Sequence, residues 1–287
     1  MAKSLQQIRQ NLTALQEQAT QLSTELNDLY RQYLESLSQS VHKQLILAVY
    51  QICTQIYPEE FLKLSYSQRE KFQEKIRNLG KGIQPKLLAY LSLPQPVPKP
   101  TITEQQIFIQ LSGKDPSFQL PELPEENEIY TIKTPEDLVN WCKKIEQGIR
   151  IILDELSQEV NSNLQKAQII SSNLPPQLLE MALQAEEGGM SAGNSPNILN
   201  LLVETSHKEE EEEEEEDEDQ PSKITKISAI HLRLSEIEFA DPQLSIQRKG
   251  IMKQLEMLKR MRKAYILAQQ DYAQAEAEAA WRSSWHE

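Results

Sequence analysis

Nine apolar residues near the start of the chain, Leu5, Ile8, Leu12, Leu15, Ala19, Leu22, Leu26, Leu29 and Tyr33, follow one another in alternating steps of three and four. A narrow stripe recurring about every 3.5 residues is the seam of a coiled coil, because it keeps one thin apolar edge facing a partner helix. No proline or glycine interrupts it. The positions around it are mostly Gln, Thr, Ser and Asn, so burial rather than charge drives the pairing. Eight of the nine, Leu5, Ile8, Leu12, Leu15, Leu22, Leu26, Leu29 and Tyr33, are the candidate coiled-coil interface. The seam does not say whether its partner is a second chain or a later helix of the same chain.

Beyond Tyr33 the apolar stripe broadens through Leu34, Leu37, Val41, Leu45, Ala48, Val49, Ile52 and Ile56. A wide face needs more than one neighbour, as in a helical bundle. Pro58 ends or bends this helix. Ser67 and Glu70 have capping-box spacing ahead of Phe72, Ile76 and Leu79, and Gly80 and Gly82 are placed to stop that helix. Leu87, Leu88 and Leu91 close the unit, residues 1–91.

The stretch 92–100 has proline at every second position from Pro94 to Pro100, which makes it an extended linker. In the central region, 101–185, Ile107 to Leu111 and Ile129 to Lys133 are candidate strands of a short β-hairpin. Thr134 as cap, Pro135 at the first position and Glu136 and Asp137 in the first turn then start a second long helix. Its apolar stripe runs from Leu138 through Trp141, Ile145 and Ile152 to Val160, with an expected end near Ile170. A short helix is expected over Gln177 to Ala185.

Residues 186–221 read as a disordered linker, because glycines, small polar residues and eleven consecutive acidic side chains, Glu209 to Asp219, bury too little apolar surface to order themselves. This run dominates the charge: the chain carries a net -13, and without the run only -2 remains. The folded parts are therefore near neutral. Residues 222–287 read as an antiparallel helical hairpin. One helix starts at Ser222 with Ile227, Ile230, Leu234 and Ile237. The next is capped by Asp241, opens at Pro242 and runs to about Trp281. The expected class is mainly α, with elongated helices and a coiled coil.

The composition narrows function mostly by exclusion. With 8 glycines in 287 residues and 39% hydrophobic side chains, neither a glycine-rich nucleotide fold nor one large core is expected. No phosphate-binding loop, dinucleotide fingerprint or nucleophile elbow is present, so no catalytic residue and no cofactor is assigned. Gly80-Lys81-Gly82 follows a helix and reads as a helix end. The four histidines, His42, His207, His231 and His286, have no partners at zinc-binding spacing, and His42 and His231 read as helix-surface residues. Cys53 and Cys142 read as buried small hydrophobes of a reducing compartment. Met1 to Gln10 lacks the apolar core of a secretory signal, and no stretch is apolar enough to span a bilayer, so a cytoplasmic location is expected.

Two features carry the functional expectations. Arg248, Lys249, Lys253, Lys259, Arg260, Arg262 and Lys263 stand against Glu256 alone within Arg248–Lys263, a local net charge of +6 and a candidate basic contact surface. Trp281 and Trp285 share one face if the helix continues and form a candidate aromatic anchor. The leading expectation is a non-enzymatic interaction or scaffold protein that binds itself or a protein partner through its helical seams. The alternative is a nucleic-acid-associated factor that uses the basic stretch, with the acidic run as a competitor in cis.

Overall fold

The computed structural model describes residues 5–92, 132–170, 196–205 and 223–285. Helix α1 (Leu5–Gln51) opens the described chain and passes into a π-helical turn, Ile52–Ile56. Three shorter helices follow, α2 (Pro58–Lys63), α3 (Tyr66–Lys81) and α4 (Ile83–Ser92), and then the long α5 (Pro135–Lys166). Strands β1 (Ile198–Thr205) and β2 (Lys223–Ile230) pair antiparallel, from Ile198 opposite Ile230 to Thr205 opposite Lys223. A short α6 (Leu234–Ala240) leads into α7 (Pro242–Ser284).

Three long helices set the frame. Gln16 donates to the Tyr265 hydroxyl, Gln254 to Glu25 and Ser40 to Asp241, so positions rise along α1 as they fall along α7. The two helices are antiparallel. Arg262 pairs with Glu136 and Arg248 with Glu146, which makes α5 antiparallel to α7 and parallel to α1. Buried residues of α1, α3, α4, α5, both strands, α6 and α7 join in one core. Leu15, Tyr265 and Ala268 form a second, smaller cluster flanked by Leu12 and Met261. The molecule thus has a body, where several elements surround α1, and an arm, where α1 and α7 meet alone.

Several ends follow from local chemistry. Thr134 and Asp137 form a reciprocal capping box at the start of α5, with Pro135 in its first turn, and Asp241 caps α7 by accepting from the amides of Gln243 and Leu244. The cap of α3 is Ser65 with Gln68, two residues before the expected Ser67 and Glu70. The earlier start brings Arg69 within reach of the Leu62 and Leu64 carbonyls left open at the end of α2. Helix α5 stops at Lys166, short of Ile170, because Gln168 takes a left-handed φ of 58° and Ile169 donates back to the Leu164 carbonyl. Those bonds form a Schellman motif built without glycine. Gly80 does not end a helix but lies inside α3, where a Cβ would strike the His42 ring, and Gly148 makes room in the same way for Tyr90.

The largest departure lies in residues 198–230. Ile198–Thr205, expected to be disordered, is a strand, and Lys223–Ile230, expected to begin a helix, is its partner. Ile224, Thr225, Ile227 and Ile230 are β-branched and suit a pleated surface, while the helical spacing of Ile227, Ile230, Leu234 and Ile237 arises by coincidence across a strand and the helix after it. The strand is held from outside the sheet. Asn161 of α5 both donates to and accepts from the Ile230 backbone, as a neighbouring strand would, and the Ser157 hydroxyl accepts from Leu232 N. Asn197 closes the hairpin base in the left-handed region (φ 59°), where asparagine is among the few tolerated residues, and its side chain bridges Arg233 N and Gln44. His231 follows β2 rather than lying on a helix, and Arg233 donates to its ring. The expected strands at 107–111 and 129–133, Ile132 and Lys133 excepted, and the expected helix at 177–185 lie outside the described residues, as does the acidic run. The positions on either side of it, Thr205 and Lys223, are paired side by side.

Candidate functional site

The N-terminal seam already has its partner. Ile8, Leu15, Ala19, Leu22, Leu26 and Tyr33 are buried, and Leu5, Leu12 and Leu29 are half-buried. Leu15 packs with Tyr265 and Ala268, and farther along the Arg248 guanidinium lies 5.6 Å over the Tyr33 ring. The apolar edge legible in the sequence is therefore covered within the chain by α7.

Where α1, α5, α6 and α7 converge, a polar cluster sits inside the body. Arg248 bonds both oxygens of Glu146 at 2.5 and 2.7 Å and reaches Glu238 at 3.4 Å. The Tyr30 hydroxyl donates to Glu146 at 2.8 Å, and the Tyr33 hydroxyl donates to Glu238 at 2.5 Å. Tyr30 also meets Trp141 edge to face, with ring centres 5.7 Å apart. Burial and the adjacent carboxylates hold both phenols far above their usual pKa, so they stay protonated donors. Burial works against the Arg248 charge, but the bonds to Glu146 outweigh it and hold the guanidinium ionised. Burial alone pushes the Cys53 thiol up to about 12, and burial together with Glu146 pushes Cys142 up to about 12. Neither thiol is primed as a nucleophile. Among the described residues, no group of three or more His, Cys, Asp or Glu is placed to hold a metal ion, and no helix is long and apolar enough to cross a membrane.

The basic stretch of α7 divides into two sets. Arg248 belongs to the internal cluster, Arg262 pairs with Glu136, and Arg260 pairs with Glu256 one turn back. Reading Arg248 as part of an outer contact surface is therefore corrected: its position on α7 turns it toward α1 and α5. Lys249, Lys253, Lys259 and Lys263 are exposed. A groove of about 490 Å³ between α5 and α7 brings Lys143 and Arg150 beside Lys259 and Arg262, over Leu255 and Leu258. Lys143 and Arg150 escape a reading along the chain because only helix packing sets them opposite the α7 cations.

The expected aromatic pair stands free. The α7 seam fades along the arm, from buried Tyr265 and Ala268 to half-buried Tyr272 and Ala275, and every residue from Glu276 to Trp285 is exposed. Trp281 and Trp285 lie on one face with ring centres 5.5 Å apart, 65% and 70% exposed. The long α7 positions them by extending past the last covered turn of the α1 seam. No family model, curated protein or solved structure matches this chain.

Proposed function

We propose that this chain is a non-enzymatic interaction protein that binds a protein partner through the tip of its helical arm. The carrying observation is the exposed pair Trp281 and Trp285 at the end of a helix whose inner seam is already filled. Exposed tryptophans presented on a rigid helix bury large area at small entropic cost, and such residues dominate binding at protein interfaces. The body holds the arm in place, and its buried thiols and protonated phenols suit structural support. The test is to immobilise the full chain and the variant Trp281→Ala/Trp285→Ala and compare the proteins each retains. A partner retained by the native chain and lost with the variant supports the reading; identical retention removes the tip from the function. Light scattering on both chains separates a second copy of the chain from a different partner.

A second reading is supported by the α5–α7 groove: binding of a polyanion such as nucleic acid, with Lys143, Arg150, Lys253, Lys259 and Lys263 contacting phosphates. It calls for affinity that falls steeply with salt. Deleting residues 209–219 would strengthen that binding if the acidic run competes for the same cations. Salt-insensitive or absent binding at low ionic strength rejects it.

A further inference from the structure

Away from the arm, a cavity of about 460 Å³ lies between α1, the π-turn, α2 and α3. Its origin can be traced to single residues. His42 lies between α1 and α3 because Gly80 has no side chain to exclude its ring. Phe61 and Phe72 hold the helices apart farther along. The gap between these two props is lined chiefly by Ile46, Val49, Tyr50, Cys53 and Ile76. The volume lies in the range of small-molecule sites, which combine apolar walls with a few polar groups that fix orientation.

After Gln51 the α-helical ladder gives way to π-type bonding, with Tyr57 N donating five residues back to Ile52 O. This turn buries Cys53 on the cavity and brings Thr54 to its edge.

The polar groups lie at one end. His42 lines this end, but its Nδ1 is buried against Gly80 and belongs to the wall rather than to the open space. Arg77 stands one turn before Gly80 on the same face of α3, which places a lining cation at the His42 end. Among the described residues, no aspartate or glutamate lines the cavity. From His42 to Cys53 the wall of α1 runs about 16 Å. An arginine at the rim, with no acidic side chain lining the cavity among the described residues, favours an anion.

We propose that this cavity binds a small monoanionic amphiphile, a medium-chain carboxylate whose head meets Arg77 and whose tail lies against Val49, Cys53, Phe61 and Phe72. The site is independent of the arm tip and survives the failure of the partner reading.

The test titrates the full chain with dansylaminoundecanoic acid and, separately, with its neutral methyl ester, following dansyl emission. Saturable, blue-shifted binding of the acid at one site per chain is expected. Ile46→Trp, which fills the cavity from a partly exposed position, weakens it about tenfold or more without shifting the melting curve. Arg77→Gln, on an exposed side chain, weakens the acid about three- to tenfold and leaves the ester unchanged. Lys259→Gln changes neither. Unsaturable emission, indifference to Ile46→Trp, or equal affinity for acid and ester in both native and Arg77→Gln chains overturns the proposal. Absence of binding to the native chain also overturns it.

Discussion

Body and arm are built from the same two helices, α1 and α7, but are held together by different means. In the body α1 is wrapped on several sides, with Tyr30, Tyr33, Leu34, Leu37, Val41 and Leu45 fully buried, and Arg248 locks three elements to a fourth. In the arm a single seam joins the helices, and its small cluster ends at Ala268. The width of the apolar stripe makes the difference. A stripe two residues wide per heptad satisfies one neighbour, while the broad stripe after Tyr33 cannot be covered without α3, α4 and α5. The body therefore supplies most of the stability, and the arm supplies reach and exposed surface.

The sharpest test of this contrast is Arg248→Met. It strands Glu146 and Glu238 in a half-buried site and is expected to cost about 4 kcal/mol in urea denaturation, because removing one partner leaves the other charges uncompensated. Adding Glu146→Gln and Glu238→Gln should recover much of that loss. A cost under about 1 kcal/mol would show that the cluster is solvated like a surface pair.

Matched truncations come next. Leu37→Ala in the body is expected to cost about 3 kcal/mol of global stability. Leu15→Ala in the arm should cost about 1 kcal/mol and raise amide exchange only near the arm. Equal global losses would mean that the two regions unfold as one unit.

Asp241 caps α7 at its body end, and Asp241→Ala should cost about 1 kcal/mol at neutral pH. The Ser40 hydroxyl, with the Leu244 and Gln243 amides, holds the Asp241 carboxyl below its usual range despite some burial. A depressed folded-state pKa stabilises above the unfolded value, near 4, and that contribution is lost as pH falls through the folded value. The gap between native and Asp241→Ala should therefore narrow as pH drops below about 4. A gap independent of pH would assign the effect to packing.

The smallest expected effect on stability belongs to the tip. Trp281→Ala/Trp285→Ala should shift the unfolding midpoint by less than about 0.5 kcal/mol equivalent, since the rings touch each other and little else. A larger shift would mean that they cover apolar surface of the body.

Legibility varied with the range of the interactions involved. Thr134, Pro135, Asp241 and Pro242 mark helix starts through contacts only a few residues long, and the structure places both starts where the sequence does. The end of α5 was less legible, because Gln168 takes a conformation usually signalled by glycine. The β-hairpin was hidden because neither strand has a covered face alone, and their pairing crosses a long acidic segment. Asn161 and Ser157 complete it from a helix far away in sequence. Trp281 and Trp285 were legible as a pair on one helix face because their spacing is local. The groove cations Lys143 and Arg150 and the His42–Arg77 end of the cavity were not, since each joins residues from separate helices.

By itself, the sequence determined that α1, α5 and α7 are helices, which edge of each is apolar, and where two of them start, because hydrophobic period and capping act within a few turns. The tertiary structure alone decided that the α1 seam is filled by α7, that Arg248 faces inward while its neighbouring lysines face out, and that Ile224, Ile227 and Ile230 lie in a strand. Those outcomes depend on which distant surfaces cover an apolar edge or satisfy a buried charge, and an apolar stripe specifies that it must be covered without specifying by what.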